Sequence, residues 1–329
     1  MNVLGDIISL TIIFAVPLLL VALGGMFSER SGVVNIALEG IMIVGALVSF
    51  LYMRAIKDSA FAAATPVLAT LSAVAVAAAA GMVLSLFLAL ASIHLKADQT
   101  IGGTALNMFA PAFAIILTWA IQGQGQTAVY TPSWARISPS VFGADVRNLN
   151  FLQRVFLKEF FITTPLAVII LILVIIVLYR TTFGLRLRAC GEHPQAADSV
   201  GVNVYKMRYF GVGLSGILGG IGGFAYTLAA GAGFSSTVAG YGFLALAVLI
   251  FGNWKPLRIL GAAFLFAFFK VISSMATAIP FLPSFRNIRG GEFIYLMVPY
   301  IVTMIVLAFT SGKSRAPKAS GIPYDKGAR

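Results

Sequence analysis

Cysteine, histidine and charge are all scarce in this sequence: one Cys, two His and 10% charged side chains among 329 residues. A lone Cys190 excludes an intrachain disulfide and a thiolate metal centre. His94 and His193 stand too far apart to form a ligand-spaced pair, so no metal site is expected. No Ser/His/Asp or Cys/His constellation is present, so the chain is not expected to be an enzyme. A soluble domain carries about a quarter charged residues. Here 59% of residues are hydrophobic and the mean hydropathy is +0.95, so the surplus apolar surface has to face lipid. Acidic residues are the scarcer charge, 11 against 23 basic, for a net charge of +12. The basic residues sit in short loops and a tail rather than on one face. That pattern suits membrane orientation and anionic lipid, and argues against nucleic acid as a partner.

A nucleotide site is also missing. Gly211-Val212-Gly213-Leu214-Ser215-Gly216 matches a dinucleotide fingerprint by letter, but it lies in an apolar run with no preceding strand. Gly312-Lys313-Ser314 resembles the end of a phosphate loop, but Leu307 stands where the earlier glycine is required. ATP hydrolysis, if it drives this protein, belongs to a separate subunit.

What the chain does have is apolar runs close to the ~20 residues a helix needs to cross a bilayer. They fall at 7–26, 34–53, 60–95 (one long or broken helix), 105–121, 165–179, 209–230, 243–252, 259–277 and 293–309. The fold class is all-α: a polytopic membrane helix bundle of nine or ten transmembrane helices. Residues 1–310 form the transmembrane domain, with an external loop at 122–163. Residues 311–329 form a basic tail expected to be flexible. Placing 180–208 and the tail in the cytoplasm puts fourteen Lys and Arg inside and eight outside, the expected bias.

Segment 180–208 is the longest polar interruption in the C-terminal half. Its borders are basic, at Arg180, Arg186 and Arg188 and again at Lys206 and Arg208. Its middle has the composition of a short surface helix, with Pro194 at an early helical position and Gly201 available to end it. A compact helix on the cytoplasmic face is built to touch a soluble partner that supplies energy. The candidate coupling residues are Gly191, Glu192, His193, Pro194, Ala196, Ala197, Asp198 and Gly201.

Within the spans, Asn35 and Glu39 lie four residues apart and share a helix face. A carboxylate in a span is costly and normally faces the bundle interior or a water-filled path. Two readings stand: Asn35, Glu39 and Asn107 line a pathway or gate for an uncharged substrate, or they serve structure through caps and interhelical hydrogen bonds. Ser215, Gly216, Gly219, Gly220 and Gly223 recur at four-residue spacing, which lets neighbouring backbones approach closely. A faint internal echo links Gly32…Ile36-Ala37-Leu38 with Gly240…Leu244-Ala245-Leu246, in helices expected to run in opposite directions.

Three stretches, FSERSGVVNIALEGIM, RTTFGLRLRACGEHPQAADSVGVNV and GYGFLALAVLIFGNWKP, resemble the permease subunits of ATP-binding-cassette importers in the nucleoside and simple-sugar branch. The similarity covers most of the chain, and the tail ending IPYDKGAR also looks like the nucleoside-type members. His193 departs from the Asn expected in that loop. The resemblance implies a second permease subunit, often a paralogue, a cytoplasmic ABC ATPase carrying ATP and Mg, and an extracytoplasmic substrate-binding protein or lipoprotein. It further implies a coupling helix around Glu192–Gly201 and a place in the bacterial cytoplasmic membrane. The alternatives are a branched-chain amino-acid permease of the same fold, an ion-coupled secondary carrier, and a membrane scaffold without transport activity.

Overall fold

The computed structural model describes residues 3–135, 160–231, 233–275 and 315–327, together with 150, 151, 153, 155, 295, 297, 298, 301, 302, 304, 305 and 308. Eleven α-helices follow one another among these residues: α1 Val3–Arg30, α2 Leu38–Ile56, α3 Ala60–Ala64, α4 Pro66–Ala89, α5 Gln99–Gln122, α6 Thr163–Arg180, α7 Thr182–Glu192, α8 Pro194–Ser199, α9 Val204–Ala230, α10 Tyr241–Phe251 and α11 Pro256–Met275. Seven of the described helical segments are long and apolar enough to cross a membrane. Much of the apolar stretch at 293–309, and residues 136–149, 152, 154 and 156–159 of the 122–163 loop, lie outside the described residues.

The Ala-rich run at 60–95 forms one broken span. Thr65–Pro66 separates α3 from α4, and α4 continues into a π-helical turn over Leu90–His94. Helix α5 begins at Gln99, ahead of the expected 105. The Asp98 carboxylate caps it by accepting hydrogen bonds from the backbone N–H groups of Thr100 and Ile101 at 2.7 and 3.0 Å. Those same bonds hold the Asp98 carboxyl below its ordinary pKa.

Helices α1 and α9 form the centre of the bundle, flanked by α2, α4, α10 and α11. Most of their residues are buried, whereas α5 and α6 bury only a minority of theirs. The small residues of α9 explain the closeness of this packing. A Cβ at Gly216 would strike Ser85 and the Gly81 carbonyl of α4, and one at Gly220 the Ala77 carbonyl. At Gly223 it would meet the Met42 carbonyl of α2, and at Gly219 the Ile41 side chain at 2.8 Å. Ser215 packs on the other side, where its carbonyl lies 2.9 Å from the place a Cβ would occupy on Gly24 of α1. Without lipid-excluding hydrophobic force between apolar helices, such close backbone contact is what drives their association.

Two segments break the helical pattern inside the bundle. After α1 the chain turns at Ser31–Gly32 and runs non-helically to α2. Leu38, at the start of α2, packs against Gly25, more than one turn before the end of α1. The second break, described at 231 and 233–240, stands ahead of α10. Counted from sequence as a span, α10 has eleven residues and is about 16 Å long, roughly half the ~30 Å hydrocarbon core. An antiparallel bridge, Val129–Phe234, joins this second break to the loop after α5.

Over 315–327 the tail makes specific contacts with the bundle. Ala319 and Tyr324 are buried, the Ala319 N–H donates to the Gly191 carbonyl at 2.8 Å, and the Arg315 N–H donates to Asn253 Oδ1 at 3.1 Å. Composition suggested a free tail because its Gly, Pro and Ser form no regular element. The contacts come from two backbone N–H groups and from the buried Tyr324 side chain.

Candidate functional site

The break between α1 and α2 raises an accounting question, since backbone N–H and C=O groups at membrane depth have no water to bind. Side chains from three elements answer it. Ser28 Oγ donates to the Val33 carbonyl at 2.7 Å, and the Val34 N–H donates to Gln99 Oε1 at 2.7 Å. Asn35 Oδ1 accepts from the Ala37 N–H at 3.1 Å, while its amide donates to Ser215 Oγ at 2.8 Å. Asn107 spans the junction. Its amide donates to the Ile36 carbonyl and its Oδ1 accepts from the Gly40 N–H, both at 2.8 Å. Asn107 therefore ties the unwound backbone to the start of α2, and Asn35 ties it to α9.

Glu39 does the same for the other break. Its Oε1 accepts from the Gly240 N–H at 2.9 Å and its Oε2 from the Gly242 N–H at 2.6 Å. The carboxylate thus caps α10, where free N–H groups and the helix dipole both favour a negative group. Gly240 needs its left-handed φ of +78° to start α10, and Gly242 needs its missing Cβ because the Glu39 backbone occupies that space. The two stretches that echo one another in sequence therefore meet start to start. Helix α10 runs from this point toward Trp254 and the end of α1, and α2 runs the other way. The structure brings Asn35, Glu39 and Asn107 to one neighbourhood. Gln99, at the start of α5, and Ser28, in the last turn of α1, belong to it as well.

The second assembly sits at the end of the bundle that carries 180–208. Two helices form there rather than one, because α7 precedes the expected short helix. Thr181 Oγ1 caps α7 by accepting from the Gly184 N–H at 3.1 Å. Helix α8 starts at Pro194 and stops at Gly201, whose φ is +84°. The Gly201 N–H donates to the Asp198 carbonyl and the Val202 N–H to the Ala197 carbonyl, at 2.9 and 3.0 Å, a Schellman closure.

The candidate coupling residues divide by face. Glu192, His193, Ala196 and Gly201 are exposed, and Asp198 is half-buried. Gly191, Pro194 and Ala197 point inward, Ala197 being 3% exposed against Cys190, Val204 and Tyr324. Positions 194 and 197 are one helical turn apart, so they share the buried side. Burial pushes the Cys190 thiol up to about 11.

Three contacts tie this element to the bundle. Gly191 lies so close to the Arg30 carbonyl that no Cβ fits. The Arg30 guanidinium stands 3.9 Å from the Glu192 carboxylate and donates to the Trp254 carbonyl at 2.9 Å. The Trp254 indole N–H donates to Glu29 Oε2 at 2.6 Å. The last turn of α1 therefore joins the end of α7 to the turn between α10 and α11. Sequence reading quoted Glu29, Arg30 and Trp254 within motifs but gave none of them a role, because their partners stand far away along the chain.

Comparison with known proteins follows from this geometry. Residues 7–307 match the family described as branched-chain amino acid transport system / permease component. The guanosine ABC transporter permease protein NupQ of Bacillus subtilis is 41% identical over 329 residues, covering 100% of this chain and 99% of that protein. The nucleoside ABC transporter permease protein NupC of Lactococcus lactis is 38% identical, covering 99% of this chain and 98% of that one. The nucleoside ABC transporter permease protein NupB, also of Lactococcus lactis, is 27% identical over 164 residues, covering 49% of this chain and 44% of that protein. No solved structure matches.

Proposed function

The chain belongs to the branched-chain amino acid transport system / permease component family, and from that membership we propose that it is the membrane-spanning subunit of an ATP-binding-cassette importer for nucleosides. The observation that carries this reading is the end-to-end similarity, 38–41% identity, to permeases named for guanosine and nucleoside transport. It favours nucleosides over branched-chain amino acids, although the family description names the latter.

In this reading the chain hydrolyses nothing. A cytoplasmic ABC ATPase docks on α8, and a second permease subunit completes the pore. NupC and NupB, two such permeases of one organism, are both similar to this chain, which supports a heterodimer. A substrate-binding protein or lipoprotein delivers nucleoside at the opposite face, and the multi-pass chain lies in the bacterial cytoplasmic membrane with its C-terminus inside.

The contacts supply a route for force. ATPase closure displaces α7 and α8, and the Gly191–Arg30 packing with the Glu192–Arg30 pair passes that displacement to α1. Arg30 and Glu29 pass it through Trp254 to α10, a rigid half-helix whose far end is held by Glu39. Asn35, Glu39 and Asn107 then act as the hinge and latch of a gate: they keep two helix breaks shaped so that the gate has backbone to move. An uncharged substrate needs no counter-charge along such a path.

Uptake of radiolabelled uridine by reconstituted transporter, competed with unlabelled nucleosides or leucine, tests the assignment. Competition by nucleosides alone, together with dependence on ATP, is expected. Uptake of labelled leucine in place of uridine reassigns the substrate, and uptake driven by an ion gradient without ATP overturns the class.

A further inference from the structure

Residues 315–327 lie as a strap across the end of the bundle that carries 180–208, pinned to four elements. Arg315 is held by Asn253 after α10, and Ala319 by the Gly191 carbonyl of α7. The Tyr324 ring packs edge-on to Tyr205 of α9 at 5.3 Å between centroids, with the buried Arg208 guanidinium 5.9 Å away. Asp325 makes a 2.9 Å ion pair with Lys96, between α4 and α5. Burial, and then the neighbouring Asp198 carboxylate of α8, hold the Tyr324 phenol above its ordinary pKa.

The strap and the start of α8 enclose a groove of about 220 Å³. One wall is Glu192, His193, Pro194 and Gln195; the other is Lys318, Ala319, Ile322 and Pro323. Ile322 is 58% exposed although its neighbours Ala319 and Tyr324 are buried, so the strap holds an apolar side chain outward. Across 180–208 and 315–327, eight basic residues stand against three acidic ones. Two of those three, Glu192 and Asp325, are already paired with Arg30 and Lys96. The field left over is positive and calls for an acidic partner surface.

We propose that the C-terminal strap is the second half of the ATPase docking surface, and that the ABC ATPase seats an apolar side chain with acidic neighbours in the groove between α8 and Ile322. This rests on the docking role assigned to α8. A protein bound to Glu192, His193 and Gln195 meets Lys318 and Ile322 because all five line one groove. The strap then does more than brace α8. It carries part of the load to Lys96, and so to the junction between α4 and α5.

Thiol accessibility tests this on the full transporter. Ile322→Cys and Ala196→Cys are made singly, and inside-out vesicles are treated with a maleimide before and after the ATPase is stripped with urea. Native Cys190 is fully buried and stays silent. Protection of Ile322→Cys with the ATPase present, lost on stripping, is the expected result. Equal labelling in both states overturns the proposal. Protection that survives stripping also overturns it, because it assigns the strap to anionic lipid. If Ala196→Cys is protected while Ile322→Cys is not, only the strap's role fails; if Ala196→Cys is never protected, the docking role of α8 fails.

Discussion

Oε2 of Glu39 accepts a 2.6 Å hydrogen bond from the backbone N–H of Gly242, 203 positions further along the chain. That contact joins the start of a helix running toward one end of the bundle to the start of another running toward the opposite end. In that contact the carboxylate serves as a helix cap. Glu39→Gln keeps one acceptor but turns an amide N–H₂ toward a backbone donor, leaving a buried N–H unpaired at a cost of about 1–3 kcal/mol. The expected outcome is a lower melting temperature in detergent and slower uptake, with the complex still recovered. Unchanged melting and unchanged kinetics would remove the latch from the mechanism.

Asn107→Ala removes both bonds that clamp Ile36 and Gly40. Two backbone groups at the helix break lose their partner, so the loss is expected to be at least as large as for Glu39→Gln. Asn107→Asp, which keeps only the acceptor for Gly40, should fall between Ala and wild type. Thermal unfolding followed by tryptophan fluorescence ranks the three; an Ala variant as stable as wild type contradicts the clamp.

The glycines of α9 separate into two groups. Gly223→Ala would drive a methyl group into the Met42 carbonyl and is expected to destabilise by roughly 1–3 kcal/mol through overpacking. A Cβ at Gly213 meets only the Met82 methyl group, at 3.8 Å. Gly213→Ala should therefore be neutral or stabilising by up to ~1 kcal/mol, from helix propensity alone. Equal effects of the two substitutions would show that the close approach of α2 and α9 does not govern packing.

Ala196 and Ala197 are adjacent but face opposite ways. Ala196→Arg is expected to leave folding and membrane insertion intact while reducing ATPase recovery and uptake. Ala197→Arg forces a guanidinium among Cys190, Val204 and Tyr324, so the strap should detach and the yield of folded protein fall. Limited trypsin cleavage at Lys318 reports strap release, and faster cleavage only in Ala197→Arg is the expected pattern.

The strap's outer anchor depends on pH in a defined direction. Lys96 holds the Asp325 carboxyl below its ordinary pKa, so that attraction is fully present above the unfolded carboxylate value, near ~3.9, and is lost as pH falls through the lower folded value. The Asp325 carboxylate raises the Lys96 pKa, so on the basic side the attraction is complete below ~10.4 and is lost as pH rises through the higher folded value. Both groups are exposed, so added salt should weaken the anchor at neutral pH. Trypsin sensitivity at Lys318 is expected to rise with ionic strength in the wild type and to be high and salt-independent in Asp325→Asn. Identical salt profiles for the two proteins would dismiss the pair as an anchor.

Much of this protein can be read along the chain because the signals are local. Apolar runs of membrane length, an all-α fold, Pro194 and Gly201 framing α8, and the four-residue spacing of small residues in α9 each depend on a few neighbouring positions. The remainder depends on residues that meet only after folding. Gln99 looks like a loop residue until the Val34 N–H needs an acceptor, and the groups that meet the Glu39 carboxylate are unknown until α10 begins beside it. The tail looks free until Tyr324 finds Arg208 and Tyr205. Periodicity and composition record which face of a helix avoids water. Which unwound backbone groups must be satisfied, and by which distant side chain, is settled only when the helices pack, because an unpaired polar group in an apolar bundle has no solvent to turn to.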